Sequence, residues 1–353
     1  MKYFRLHPWV FLIKGYCRGL IINTLDQSVL WINSELYNLL SSSEMNQRIP
    51  EEYLDRFSDL KKMNLGSFYK YPVAIDKLRI FNVFNEKKFH KNTPKIEIAV
   101  LHLTNNCDIN CLDCSDKFCG SCVKLEENEK DITKKEWFNI IEELKTRGLK
   151  GVVLTGGEPI LYESFYEIVD YLIENNISTT IQTHGLIRID RKYDSKVNII
   201  VSLYKLEHLK EITSNYKEIH RYLILNMTGN LIENSVENAD IKTISHKITK
   251  TSLKGLNLSD YYIRKTYDNC LKNKMYISHS GAVYPCFQSR IKIKQFHQDF
   301  IKQIIETLVE DYWKINIEFD EKCSMCEFRY NCNKCKFFRD EDCAYDMEDG
   351  VWN

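Results

Sequence analysis

Cys107, Cys111 and Cys114 stand in the run Leu103-Thr-Asn-Asn-Cys-Asp-Ile-Asn-Cys-Leu-Asp-Cys114, a C-x3-C-x2-C spacing. Thiolates this close hold iron well, but three of them leave a four-iron cube one ligand short. The iron left open is then available for chemistry on a small molecule. A second array closes the chain. Cys270, Gly281 and Cys286 read C-x10-G-x4-C. Cys323, Cys326, Cys332 and Cys335 read C-x2-C-x5-C-x2-C, and Cys343 follows. Knuckles of this kind suit iron–sulfur clusters and also tetrahedral zinc. Cys119 and Cys122 add a C-x2-C five residues past Cys114, to which no role is assigned.

The sequence contains 13 cysteines, and only Cys17 lies outside the groups at 107–122 and 270–343. The opening Met1-Lys-Tyr-Phe-Arg-Leu-His-Pro lacks the apolar core and small-residue cleavage site of a signal peptide. A cytoplasmic protein is expected, and in that reducing compartment clustered cysteines bind metal more often than they pair as disulfides. Lys+Arg and Asp+Glu balance at 49 each, so charge favours neither a nucleic acid nor a membrane surface as partner. No apolar run is long enough to span a bilayer.

The elements that must position these cysteines follow from periodicity. Residues 96–250 alternate strand and helix signals. Strands are expected at 97–103, 151–155, 178–182, 198–203, 222–226 and 242–245, with helices at 134–147, 162–174 and 207–216. Such alternation predicts an α/β fold with a parallel sheet and crossover helices, a partial (β/α)6 TIM-like barrel. Reactive groups in such folds gather where strands end. The cysteine loop follows the first strand, and Gly156-Gly157-Glu158-Pro159 follows the second. Residues 1–72 carry strand-like runs near 10–14, 19–23 and 29–32. A helix capped at Asn33-Ser34 follows, then one opening at Pro50 and ending at Gly66, which together predict a small winged-helix unit. A Lys-rich linker covers 73–95. Residues 251–353 form a Cys-rich region in which metal centres supply order.

The three-cysteine loop together with Gly156-Gly157-Glu158-Pro159 resembles the radical SAM enzyme superfamily, over residues 96–250. The resemblance implies a [4Fe–4S] cluster on Cys107, Cys111 and Cys114 whose open iron chelates S-adenosylmethionine. Reductive cleavage then yields a 5′-deoxyadenosyl radical that takes a hydrogen atom from substrate. It also implies that Gly156 and Gly157 let the backbone approach the methionine moiety, with Glu158 near its ammonium group. Thr183, Ser202 and Asn226, at later strand ends, are further candidates for cofactor binding, with strand-end or capping duty as their alternative. Asp113 departs from the aromatic or apolar residue that the superfamily often places before the third cysteine. No side chain is singled out as catalytic.

The C-terminal array resembles the SPASM domain, which implies two auxiliary [4Fe–4S] clusters. Cys323, Cys326, Cys332 and Cys343 would fill one, and Cys270, Cys286 and Cys335 would serve the other. The quartet here ends in x2 where that family has x3, and structural zinc is the alternative. The family often has a further cysteine shortly before the position of Cys270, and residues 257–269 contain none. An iron open to a substrate thiolate follows as an expectation.

The helices of the N-terminal unit mix acidic and basic residues and offer no phosphate-neutralising face. The unit resembles winged-helix elements that recognise a leader peptide by adding its strand to a sheet edge; a cap over the barrel is the alternative. A peptide maturase is therefore expected. Its partners would be a precursor peptide with a leader segment and an electron donor such as flavodoxin or ferredoxin, with no nucleic acid and no membrane. Thioether crosslinking at Cys leads. Carbon–carbon crosslinking, formylglycine maturation of a sulfatase and a non-catalytic peptide-binding partner are the other readings.

Overall fold

A computed structural model describes residues 2–79, 94–109, 129–193, 196–228, 232, 236, 238–243, 250, 253–268, 270–289, 291–314, 320, 323–332 and 343–352. Cys111, Asp113, Cys114, Cys119, Cys122 and Cys335 lie outside the described residues. The chain divides into two compact units, one of residues 1–92, 247–269 and 313–353, the other of residues 93–246 and 270–312. Among the described residues, no helix is long and apolar enough to cross a membrane.

In the first unit, β2 (Val10–Lys14), β3 (Arg18–Asn23) and β4 (Ser28–Asn33) form an antiparallel sheet in that order. Helix α1 (Ser34–Glu44) starts where predicted, because Asn33 Oδ1 accepts the free Leu36 N–H at 2.9 Å. Helix α2 (Leu54–Lys62) does not run to Gly66. Asn64 turns the chain with φ 56°, and Gly66 opens β5 (Gly66–Tyr69), which pairs antiparallel with β1 (Tyr3–Leu6). A side chain at Gly66 would meet the Arg5 carbonyl oxygen at 2.4 Å, so glycine there allows the two strands to close rather than stopping a helix.

Side chains of the three-stranded sheet alternate between two cores. Val10, Ile21 and Ile32 join Phe4, Leu40, Phe57 and Leu60 on the helical side. Phe11, Ile13, Leu20 and Ile22 join Leu256, Tyr261, Phe328, Tyr330 and Tyr345 on the other side. Phe328 meets Trp31 edge-on with ring centroids 5.2 Å apart. The sheet therefore depends on residues more than three hundred positions away. Phe328→Ala is expected to destabilise the protein by about 3–5 kcal/mol, read from denaturant unfolding. Amide exchange in β2 and β3 should rise with it.

The second unit is built on a nine-stranded sheet. Seven of its strands are parallel, and six of these follow one another in the chain: β6 (Ile98–His102), β7 (Gly151–Thr155), β8 (Ser178–Thr183), β9 (Val197–Leu203), β10 (Tyr222–Asn226) and β11 (Ala239–Thr243). They neighbour one another in chain order, as βαβ units with helices α3 (Lys134–Thr146), α4 (Phe165–Glu174) and α5 (Leu209–Asn215) require. Thr133 and Glu136 cap α3 reciprocally. The last strand lies earlier than expected, and residues 244 and 245 of that prediction are outside the described set. Beyond β6 the sheet continues through β12 (Lys274–Ile277), β13 (Ala282–Tyr284) and β14 (Lys294–Gln295), with β12 parallel to β6. Part of the Cys-rich C-terminal region thus extends the sheet. In the first unit, α6 (Leu258–Thr266) precedes this segment.

Register sorts the parallel strands into two faces. Ala99, Leu101, Val152, Leu154, Thr179, Ile181, Ile199, Val201 and Ile224 share one face and are buried. Helix α5 covers this face: a Cβ placed on Gly185 would meet both Val201 and Ile212. Val100, Val153, Thr180, Gln182 and Ile200 share the opposite face and are half-buried, while His102, Thr155 and Ser202 at its strand ends are buried.

Candidate functional site

The end of β6 and the end of β7 interlock. Gly157 N–H donates to the Thr104 carbonyl oxygen at 2.9 Å, and Glu158 N–H donates to that of Asn106 at 2.8 Å. These are the residues just before Cys107. The two glycines make the approach possible: a Cβ on Gly156 would lie 2.5 Å from the Thr104 oxygen, and one on Gly157 would lie 2.6 Å from the Asn106 oxygen. The backbone that Gly156 and Gly157 admit is, in this structure, that of the cysteine loop.

Glu158 is fully buried. Its Oε2 accepts from the Thr183 hydroxyl at 2.8 Å and from His184 N–H at 3.0 Å, and its Oε1 accepts from Ile160 N–H at 3.3 Å. Burial pushes its carboxyl above the ordinary value of 4.5, against the pull of His184, the Thr183 hydroxyl and the backbone donors. Thr183 also accepts from Gly185 N–H at 3.0 Å. Thr183 and Glu158 therefore spend their polar atoms on joining the ends of β7 and β8, which favours the structural alternative for Thr183.

This hub gives a prediction with a sign. A carboxyl raised on folding stabilises below its unfolded pKa, and that contribution is lost as pH rises from 4.5 toward the folded value. Glu158→Ala would strand two buried donors and a half-buried one and is expected to destabilise by about 3 kcal/mol or more. Glu158→Gln should be milder. Melting profiles should show wild type losing stability relative to Glu158→Gln as pH rises through that window.

His184 is buried at the same junction. Leu186 N–H donates to its Nδ1 at 3.1 Å, which places the ring proton on Nε2, 2.8 Å from Asp108 Oδ1. Cys107, Asp108 and His184 bring one ligand atom each to within 4.8 Å of one another, and no other such trio occurs among the described residues. Neither Asp108 nor His184 was singled out from sequence.

The other candidates part by face. Ser202 lies on the His102 and Thr155 side of the sheet, and the hydroxyls of Ser202 and Thr155 are buried with no hydrogen-bond partner among the described residues. Two orphaned hydroxyls at strand ends fit a polar ligand seated there. Asn226 lies on the helix-covered face. Its Oδ1 accepts from Thr228 N–H and from the Thr228 hydroxyl, and its Nδ2 donates to Thr243 Oγ1 at 3.2 Å. That is strand-end duty. Thr155 was missed because the period-two face that it shares with Ser202 is legible only once the strands are placed.

Cys270 and Cys286 flank the β12–β13 hairpin in the second unit, whereas Cys323, Cys326, Cys332 and Cys343 belong to the first. Burial pushes the Cys326 thiol up, with further upward pulls from Glu327, Cys332 and Cys323.

Residues 101–215 match the model of the radical SAM superfamily. The chain carries a radical SAM domain. That match runs from the end of β6 through α5 and contains both the cysteine loop and the Gly-Gly-Glu-Pro turn. Among curated relatives, an S-adenosylmethionine-dependent nucleotide dehydratase of Selenomonas ruminantium is 32% identical over 93 residues, 26% of this chain and 31% of that protein. A PqqA peptide cyclase of Bradyrhizobium diazoefficiens is 26% identical over 133 residues, 36% of this chain and 34% of that protein. The chain thus spans about a third of the length of these relatives. A solved structure of Streptococcus suis SuiB bound to the precursor peptide SuiA aligns over 96% of both chains at 15% identity, with a TM-score of 0.47.

Proposed function

We propose that the radical SAM domain of this chain matures a ribosomally made precursor peptide, with thioether crosslinking at a peptide cysteine as its reaction. The observation that carries the radical SAM part is the docking of Gly157 and Glu158 on the carbonyls of Thr104 and Asn106, which fixes the loop entering Cys107. Cys107, Cys111 and Cys114 would hold a [4Fe–4S] cluster, which with S-adenosylmethionine supplies a 5′-deoxyadenosyl radical. The chain's own part is to orient: Ser202 and Thr155 offer hydroxyls on the open face, and the Glu158 hub holds the strand ends in place.

Two features support a peptide as substrate. The PqqA peptide cyclase is among the relatives of the domain. In addition, β2 and β4 are the outer strands of the N-terminal sheet, so a peptide strand added at an edge would find backbone partners. The thioether reading rests on the absence of a cysteine from 257–269, which would leave an iron at Cys270 and Cys286 open to a substrate thiolate. The auxiliary clusters, the leader contact and the electron donor belong to this reading.

Co-expression with a short Cys-bearing peptide encoded beside the gene tests it. Thioether closure removes two hydrogens, one taken by the deoxyadenosyl group and one lost as the thiol proton, with the surplus electron passing to an iron–sulfur centre. The peptide should lose that mass and resist thiol alkylation. The same mass loss with an alkylatable cysteine would favour a carbon–carbon bond. An unmodified peptide beside abundant 5′-deoxyadenosine would overturn the crosslinking reading.

A further inference from the structure

A buried polar relay joins the end of β6 to β12 and the turn that follows it. The Tyr276 hydroxyl lies 2.7 Å from His102 Nδ1. His102 Nε2 lies 2.9 Å from Asn105 Oδ1, and Asn105 Nδ2 lies 2.9 Å from His279 Nε2. His279 Nδ1 lies 3.0 Å from an oxygen of Asp131. His102, Tyr276 and His279 are at most 2% exposed. Backbone bonding adds to the chain, since Ile132 N–H donates to the His279 carbonyl oxygen at 2.8 Å.

The direction of the relay follows from the Asn105 amide. Its Nδ2 donates, so His279 accepts at Nε2 and carries its proton on Nδ1, on the side of the Asp131 carboxylate. Its Oδ1 accepts, so His102 carries its proton on Nε2 and accepts from Tyr276 at Nδ1. One amide thus fixes two tautomers. Asp131 stands within ion-pair distance of His279 Nδ1 without hydrogen-bonding alignment and places a negative charge at that end. A network this deeply buried specifies the geometry of the residues it joins.

The geometry it specifies is that of residues 103–106, whose carbonyls receive Gly157 and Glu158. We propose that Asn105, held between His102 and His279, is a positioning residue for the Cys107 loop and governs how S-adenosylmethionine meets the cluster. This rests on the radical SAM reading of the site. Freed from the relay, Asn105 would let the Thr104 and Asn106 carbonyls rotate away from the Gly-Gly-Glu turn, and the loop would present Cys107 in several orientations.

The test uses the full chain, reconstituted anaerobically, and reads the electron paramagnetic resonance of the reduced cluster as S-adenosylmethionine is titrated in. Wild type should show a change in signal on binding; its absence would sink the radical SAM reading and this inference together. Asn105→Ala is expected to weaken the titration at least tenfold and to broaden the shifted signal. Asp131→Asn, at the partly exposed end, should move both in the same direction by a few fold, with Asp131→Glu restoring them. A merely structural role would lower the melting temperature and leave the signal of the folded fraction unchanged. If Asn105→Ala does not fold, Asp131→Asn decides. A wild-type titration in the folded variants, beside a responsive wild type, would overturn the inference and leave the radical SAM reading intact.

Discussion

Cys107→Ala is expected to abolish formation of 5′-deoxyadenosine when the protein is incubated anaerobically with S-adenosylmethionine and a reductant. The remaining Cys111 and Cys114 would give a cube only two protein thiolates, and iron held so weakly is lost on handling. Substituting groups that merely support a metal ligand lowers activity by about 10–100-fold, and removing a ligand should exceed that. Iron content should fall in parallel while far-ultraviolet circular dichroism stays at wild type, because β6 ends at His102 and does not need the cluster to form its ladder with β7. Cys17→Ala is the control. It lies between β2 and β3, outside both cysteine groups, and should leave product yield unchanged. Wild-type yield from Cys107→Ala would remove the assignment of the loop.

Gly157→Ala carries the second large effect. The added methyl would sit 2.6 Å from the Asn106 carbonyl oxygen and 2.7 Å from that of Asn105. Both obstacles are backbone, so neither can swing aside as a side-chain tip would. Overpacking of this kind destabilises by about 1–3 kcal/mol. Relief by separation would break the Gly157–Thr104 and Glu158–Asn106 hydrogen bonds, each worth about 1 kcal/mol. Function should suffer more than stability, because the strain falls on the carbonyls that enter the cysteine loop. A displacement of about 1 Å at a reacting group can lower rate about 100-fold. Cleavage of S-adenosylmethionine should therefore drop by about that factor, with a melting temperature only a few degrees lower. Gly151→Ala is the matched control, since its Cβ would find the nearest atom at 3.5 Å.

Several features were open to reading from residues because the signals are local. Apolar alternation gave β7 and β10 to the residue, and Asn33 marked the start of α1. The cysteine loop and the Gly-Gly-Glu-Pro turn fell at adjacent strand ends because β6 and β7 pair in parallel. Other features are set by partners far along the chain. Tyr276 meets His102, and His279 meets Asn105, each across 174 residues, because β12 lies parallel to β6; no window of sequence contains either pair. The pairing of β1 with β5 was missed because Tyr3-Phe-Arg-Leu6 and Gly66-Ser-Phe-Tyr69 are too short to show a period. The runs Val10-Phe-Leu-Ile13 and Leu20-Ile-Ile22 are apolar at every position, as strands buried on both faces are, and that pattern foretells a second cover for the sheet.

That second cover arrives late. Phe328 follows Phe11 by 317 residues, so a ribosome adding about 5–20 residues per second completes it roughly 15–60 s after the sheet emerges. Until Leu256 and Tyr261 emerge, Phe11, Ile13, Leu20 and Ile22 present a bare apolar face on a nascent chain, and the cover stays incomplete until Phe328 and Tyr330 follow. Expression at low temperature or with chaperones should raise the yield of intact protein, and a chain cut before Phe328 should collect in inclusion bodies.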